Sequence, residues 1–159
     1  MELKGLLDYD CVNYKIPCLT LMFPKCDFKC DKLNGKPVCQ NCLLTQEKNI
    51  HVSVDFIYDY YLKNPLTKAF CLQGLEPFDS FDDVLYFVFS IRQNYNCQDP
   101  IVIYTGYDHE ESTEYIKELK KYPNIIIKWG RFILDSTPIF DEVLGITLAS
   151  NNQYGEKIS

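Results

Sequence analysis

Four short, almost wholly apolar segments, separated by stretches of helical periodicity, restrict the fold of this chain more than any other feature. Strands that are apolar on both faces and alternate with amphipathic helices are typical of a parallel sheet covered by helices. The sequence therefore predicts one α/β domain over residues 1–159, without repeats or linkers. The predicted strands are 16–23, 68–72, 100–104 and 124–128, and the predicted helices are 54–62, 79–95 and 110–122.

The last 30 residues give a weaker signal. The segments 131–134 and 143–148 could each form a strand, and the polar end 151–159 could be a tail or a lid. A complete eight-stranded β/α barrel needs about 250 residues. A chain of 159 residues can therefore form only part of such a barrel.

Composition excludes several classes of protein. Hydrophobic residues make up 47 % and charged residues 24 % of the chain, as in ordinary globular domains. The net charge is −6 and no cluster of Lys or Arg offers a surface for phosphates, so we expect no nucleic-acid partner. No apolar run approaches the roughly 20 residues of a membrane span. The first ten residues lack the basic and apolar regions of a secretory signal, so we expect a cytoplasmic protein.

Four of the eight cysteines lie within 17 residues, in a predicted loop over residues 24–42. Their pattern is C-x3-C-x8-C-x2-C, from Cys26 through Cys30 and Cys39 to Cys42. In a cytoplasmic protein such a group favours metal binding over disulfides. Thiolates suit both zinc and an iron–sulfur cluster, and the spacing alone does not separate the two. The position directly after the first strand favours a ligand site, because α/β folds bind ligands at the carboxyl ends of their strands.

Two further motifs follow predicted strands. Gln73–Pro77 (QGLEP) follows the second strand, and Tyr104–Tyr107 (YTGY) ends the third. Glycine permits close approach of a ligand to the backbone, and carbonyl groups beside an acid suit an ammonium group. Each motif taken alone is also typical of a simple turn.

Together the cysteine loop, GLEP and YTGY resemble the radical S-adenosylmethionine (SAM) family, and within it the activating proteins of anaerobic ribonucleoside-triphosphate reductase. The resemblance extends from about residue 16 to the end of the chain, including 130–132 and 145–158. Two departures stand out. The family loop is usually C-x3-C-x2-C, whereas eight residues, 31–38, separate the second and third cysteines here. Leu75 also replaces the second glycine of the family's G-G-E-P motif.

The resemblance favours Cys39 over Cys42 as the third ligand. In the activating proteins the third cysteine precedes a bulky residue and then Asn, as Cys39 precedes Gln40 and Asn41. Three protein ligands leave one iron open for the amino and carboxylate groups of SAM. The resemblance implies a partial radical SAM β/α barrel with a [4Fe–4S] cluster held by Cys26, Cys30 and Cys39. The residues it implies for cofactor binding are Val38, Gln40, Gly74, Leu75, Glu76 and Thr105.

The activity implied is that of an activating oxidoreductase. It would receive an electron from a donor such as flavodoxin or ferredoxin, cleave SAM reductively and place a glycyl radical on the large subunit of anaerobic ribonucleotide reductase. The open side of a partial barrel would admit a protein loop. Two alternatives remain from sequence: a radical SAM enzyme acting on a small molecule, and a non-catalytic zinc module using Cys26, Cys30, Cys39 and Cys42. We expect His51 and His109, the only two histidines, to be surface residues.

Overall fold

A computed structural model describes all 159 residues as a single α/β domain built on a six-stranded mixed sheet. In chain order the strands are β1 (Glu2–Leu3), β2 (Gly5–Asp10), β3 (Cys18–Phe23), β4 (Ile50–His51), β5 (Ala69–Gly74), β6 (Ile101–Tyr104), β7 (Ile125–Trp129), β8 (Ile139–Asp141), β9 (Ile146–Leu148) and β10 (Tyr154–Lys157). The helices are α1 (Lys29–Asn34), α2 (Val54–Lys63), α3 (Phe81–Phe89) and α4 (Thr113–Leu119).

The central sheet has the strand order β10-β7-β6-β5-β3-β2. The four inner strands are parallel, and each pairs with the next along the chain: β3 with β5, β5 with β6, and β6 with β7. At the two edges of the sheet, β2 and β10 pair antiparallel. The four predicted apolar strands and the α/β class are therefore confirmed. Since the inner strands run in one direction, their carboxyl ends meet at one edge of the sheet, where ligand sites of such folds lie.

Several predicted elements differ in the structure. The predicted helix 79–95 is a 3₁₀ turn at Pro77–Ser80, then α3, then a π-helical turn at Ser90–Asn94. Residues 131–134 form no strand, and only Ile146–Leu148 of the segment 143–148 does. The polar C-terminus is neither tail nor lid, because β10 pairs with β7 from Tyr154↔Trp129 to Lys157↔Ile126. Edge strands such as β2 and β10 carry polar, exposed residues, so they lack the apolar pattern that identifies the inner strands.

Each face of the sheet carries its own core. On one face a cluster of 21 buried residues joins the strands to the helices, and Phe23, Phe70 and Trp129 are among its largest members. On the other face Tyr14, Leu144 and Leu148 cover Cys18, Cys71 and their neighbours. The loop after β2 and the β8–β9 hairpin therefore cover part of the second face.

None of the helices has the length and apolar character needed to cross a lipid bilayer.

Candidate metal centre and adjoining cavity

A cavity of about 380 Å³ lies at the carboxyl ends of the four parallel strands. This volume is within the range of small-molecule and cofactor sites. The thiols of Cys26, Cys30 and Cys39 line its wall, together with residues that directly follow or end β5, β6 and β7. The parallel topology therefore places the cysteine loop and the two glycine-containing motifs around one space.

The three lining cysteines are free thiols, and their sulfur atoms do not all lie within 4.8 Å of one another. Burial raises the pKa of Cys39, and the neighbouring groups Asp31, Cys30 and Cys42 raise it further by their negative charge. Cys42 is exposed and is not among the residues that line the cavity. The structure thus separates Cys42 from the other three in position, although it lies close to Cys39.

The eight-residue spacer between Cys30 and Cys39 folds into a closed turn. Its first part, residues 31–34, lies in helix α1, which is capped by Gly35 in the left-handed conformation (φ 65°). The chain then returns, and Oδ1 of Asp31 accepts hydrogen bonds from the backbone N–H groups of Val38 (2.8 Å) and Cys39 (2.9 Å). This carboxylate brings Cys39 back to the first two cysteines. The sequence predicted an irregular loop here, because six residues of helix are too few to show periodicity.

Side-chain amides fasten this loop to the strand ends. Asn41 donates from Nδ2 to the carbonyl oxygen of Gly74 at the end of β5 (2.9 Å). Asn34 donates to the carbonyl of Phe132 (3.1 Å) and accepts from the backbone N–H of Leu134 (3.0 Å), both beyond β7. The loop is therefore bound on two sides of the cavity.

The donor set fits a cluster of iron and sulfide. Burial raises the pKa of Cys26 to about 12, so its free thiol is protonated at neutral pH. A bound metal ion supplies the positive charge that stabilises a thiolate in such a place. The backbone N–H of Phe28 already points to the Cys26 sulfur at 3.2 Å. Cysteine sulfurs are the usual ligands of iron–sulfur clusters, and hydrogen bonds to those sulfurs are a regular feature of such sites.

Glu76 of the GLEP motif is buried and joins two strand ends. Its Oε1 accepts from the Thr105 hydroxyl (2.8 Å) and from the Phe78 N–H (3.0 Å), and its Oε2 accepts from the Gly106 N–H (2.8 Å). Burial raises the pKa of Glu76 to about 7 despite these three donors. The GLEP and YTGY motifs are thus one hydrogen-bonded unit, which their separate positions in the sequence do not reveal.

Gly74 must be glycine for two reasons. Its φ of +109° is a conformation that side chains rarely adopt. A Cβ atom would also lie 2.6 Å from the backbone nitrogen of Phe23 on β3. The following residue, Leu75, lines the cavity, and its carbonyl oxygen accepts no hydrogen bond within the chain.

Lys128 was missed by sequence reasoning. It is the penultimate residue of the apolar strand β7, is 7 % exposed and lines the cavity. Its ammonium group donates one hydrogen bond, to the Gly130 carbonyl (2.9 Å). Burial lowers the pKa of Lys128 to about 8, and the negative charge of Glu76 opposes that shift. A lysine in an otherwise apolar strand, at its carboxyl end, is the signal that could have identified it.

Tyr107 of YTGY links the cysteine loop to the rest of the site. Its hydroxyl donates to Oδ1 of Asp79 (2.6 Å), and Oδ2 of Asp79 accepts from the Asp27 N–H (3.0 Å), next to Cys26. The cations of Lys29 and Arg131 lie 4.7 and 5.5 Å from the centre of the Tyr107 ring. Tyr107 therefore positions the loop, a role that the motif did not predict.

The structure brings most of the predicted site residues together. The cavity is lined by Cys26, Cys30, Cys39, Gln40, Gly74, Leu75, Glu76 and Thr105. Val38 is not among the lining residues, and its backbone N–H is bonded to Asp31. His109 is exposed and contacts Glu156 at 2.8 Å, while His51 is more exposed still.

We expect Glu76 to make the stability of the metal-free chain depend on pH. Its pKa is raised in the folded state, so its contribution is fully present below its usual pKa of 4.5 and is lost as the pH rises to about 7. Urea unfolding should show the free energy of unfolding of the natural chain falling over this window relative to that of Glu76→Gln. The exposed Glu114→Gln serves as control. The account would be contradicted if the free energy of unfolding of the natural chain, minus that of Glu76→Gln, stayed constant or rose between pH 4.5 and 7.

Comparison with known proteins agrees with the geometry of the cavity. The family model of the 4Fe-4S single cluster domain, found in radical SAM-type proteins, matches residues 17–152. The match includes every cysteine of the loop and all four parallel strands. Neither a curated protein nor a solved structure matches the chain significantly. The chain belongs to the 4Fe-4S single cluster domain family and is a 4Fe–4S cluster-binding domain.

Proposed function

We propose that this protein is a radical SAM activating enzyme that places a glycyl radical on the large subunit of anaerobic ribonucleotide reductase. One observation carries the proposal: three cysteine thiols and both strand-end motifs line the same cavity. A domain that only transfers electrons needs no such cavity beside its cluster. The sheet is consistent with a partial radical SAM β/α barrel, because its parallel strands follow one another in the order β3, β5, β6 and β7.

When bound, a [4Fe–4S] cluster would supply the electron that cleaves SAM into methionine and a 5′-deoxyadenosyl radical. Cys26, Cys30 and Cys39 would hold it. Cys42, exposed and outside the cavity wall, would leave the fourth iron free for SAM. The electron would come from a donor such as flavodoxin or ferredoxin.

The residues of the cavity offer partners for both charged ends of the amino acid part of SAM. The free carbonyl of Leu75 can accept a hydrogen bond from the ammonium group. The Lys128 ammonium donates only one of its possible hydrogen bonds within the chain, so it can pair with the carboxylate. Glu76 fixes the end of β5 against the residues that follow β6, and the Thr105 N–H donates to the Lys128 carbonyl on β7 (2.9 Å). These bonds hold Leu75 and Lys128 in fixed relative positions.

The two alternatives differ in what they require of the site. A zinc module needs Cys42 to join the other three thiols, and Cys42 lies outside the cavity wall. An enzyme acting on a small molecule would use the same cluster and SAM contacts, so only the substrate separates it from an activating enzyme.

Anaerobic reconstitution tests the proposal. The chain, loaded with iron and sulfide and reduced with dithionite, should convert SAM to 5′-deoxyadenosine. A reductase large subunit should then develop the electron paramagnetic resonance (EPR) doublet of a glycyl radical. Colourless protein with one zinc ion per chain would refute the cluster chemistry. Turnover that responds to a metabolite and never to the large subunit would refute the activating role.

Replacement of two neighbouring cysteines should separate their roles. Cys39→Ser should lose most of the iron and all SAM cleavage, because Cys39 lines the cavity with Cys26 and Cys30. Cys42→Ser should keep the iron content of the natural chain, because the Cys42 side chain is exposed away from that wall. Iron and sulfide analysis of both variants measures this directly. The reverse pattern would assign the third ligand to Cys42.

Loss of the Lys128 ammonium should weaken SAM binding. A hydrogen bond to a charged group contributes about 1.5–3 kcal/mol, so Lys128→Met should bind SAM roughly 10- to 100-fold more weakly. Equilibrium binding to the reconstituted protein measures the effect, and iron content shows that the cluster is retained. The exposed Lys117→Met is the control. An unchanged affinity in Lys128→Met would remove the lysine from the proposed site.

A further inference from the structure

Strand β9 presents its edge, rather than one face, to the cavity. Four consecutive residues, Ile146, Thr147, Leu148 and Ala149, line the cavity wall. Successive side chains of a strand point to opposite faces, so a strand that turned one face to the cavity would contribute only alternate residues. A continuous run of lining residues indicates that the backbone edge borders the space.

This edge has no partner within the chain. β9 pairs only with β8, in the antiparallel register Ile139↔Leu148 to Asp141↔Ile146. Outside that ladder no hydrogen bond involves the backbone of residues 146–149. The N–H of Ala149, just beyond the strand, therefore has no acceptor in the chain. Unpaired N–H and C=O groups along a strand edge are a template for another extended backbone.

The hairpin that carries this edge is firmly held. Leu148 is buried in the core on the second face of the sheet. The Leu144 carbonyl accepts from the Lys15 N–H (2.8 Å), and Oδ2 of Asp141 accepts from the Gly155 N–H (2.8 Å) on β10. The free edge is thus a preformed surface, which lowers the entropic cost of binding a partner.

The edge is also reachable from outside. Thr147 is exposed, and the side chain of Val12, another lining residue, is 69 % exposed. A chain segment can therefore enter from solvent along β9. The axis of an added strand lies about 4.8 Å from that of its neighbour, whereas the axes of packed helices lie about 8–10 Å apart. A cavity of about 380 Å³ that would also hold the proposed cofactor favours the narrower occupant.

We propose that the free edge of β9 binds an extended glycine-containing segment of the protein substrate by backbone pairing, as an additional strand. The inference rests on the proposed function, because that function supplies a polypeptide as substrate. Backbone hydrogen bonds would give affinity and fix the register of the segment. A glycine in it has no Cβ, so its Cα can approach the cofactor closely. Register along β9 would then determine which Cα loses its hydrogen atom.

Hydrogen exchange on the reconstituted protein with SAM tests the pairing. The probe is a synthetic peptide that covers the hydrogen-donating glycine of a reductase large subunit. Its addition should slow exchange in the segment 146–149, with little change in β10 at the far edge of the sheet. The same protection without peptide, rising with protein concentration, would assign the edge to a second copy of the chain and overturn the proposal.

A pair of substitutions at Ala149 isolates the backbone donor. Ala149→Pro removes an N–H that makes no bond in the fold, whereas Ala149→Ser retains it. We expect Ala149→Pro to bind the peptide about fivefold to tenfold more weakly, which corresponds to one lost hydrogen bond, and Ala149→Ser to bind it like the natural chain. Urea unfolding and iron content check that the proline variant is folded and loaded.

The outcomes separate this inference from the function on which it rests. Equal peptide affinity in both variants, or no protection of 146–149 in the natural chain, overturns the pairing. If the natural chain nevertheless forms the glycyl radical EPR doublet, the proposed function stands and only the mode of binding is wrong. Absence of the doublet from every chain overturns the function, and the pairing with it.

Discussion

The buried carboxylate of Glu76 is the contact on which the geometry of the site depends. It joins the end of β5 to the end of β6 through Thr105 and Gly106, and it lines the same cavity as the cysteine loop. A carboxylate with little access to water is costly unless donors surround it, and here three do so. The strand ends that line the cavity are consequently fixed relative to one another before any cofactor binds.

The cysteine loop depends on that fixed edge. Asn41 attaches the loop to the Gly74 carbonyl, and Asp31 closes the long spacer so that Cys39 returns to Cys26 and Cys30. The spacer is thus a folded unit that restores the grouping of three thiols. Tyr107 adds another attachment, because it binds Asp79, which accepts from the Asp27 N–H of the loop. Cluster ligands, strand ends and the edge of β9 meet in one cavity because each is tied to the same sheet.

The sequence was informative where a single periodicity or motif determines the structure. The strands β3, β5, β6 and β7 could be predicted because strands buried on both faces are continuously apolar. The positions of Cys26, Gly74 and Thr105 at one edge followed from the parallel arrangement. The edge strands β2 and β10 could not be predicted, because their exposed residues lack that pattern. Contacts such as Glu76 with Gly106 and Asp31 with Cys39 join residues that are apart in sequence, so no local sequence pattern predicts them. The same is true of the β8–β9 hairpin, which covers the second face of the sheet.

The central claim is that the cavity holds a cluster whose fourth iron binds SAM directly. Electron–nuclear double resonance of the reduced cluster, with SAM carrying ¹⁵N in its amino group, tests it most directly. The account predicts a hyperfine coupling between the labelled nitrogen and the cluster, together with a change in the EPR spectrum of the cluster when SAM is added. A reduced cluster whose spectrum is unaffected by SAM and shows no coupling to the label would contradict it.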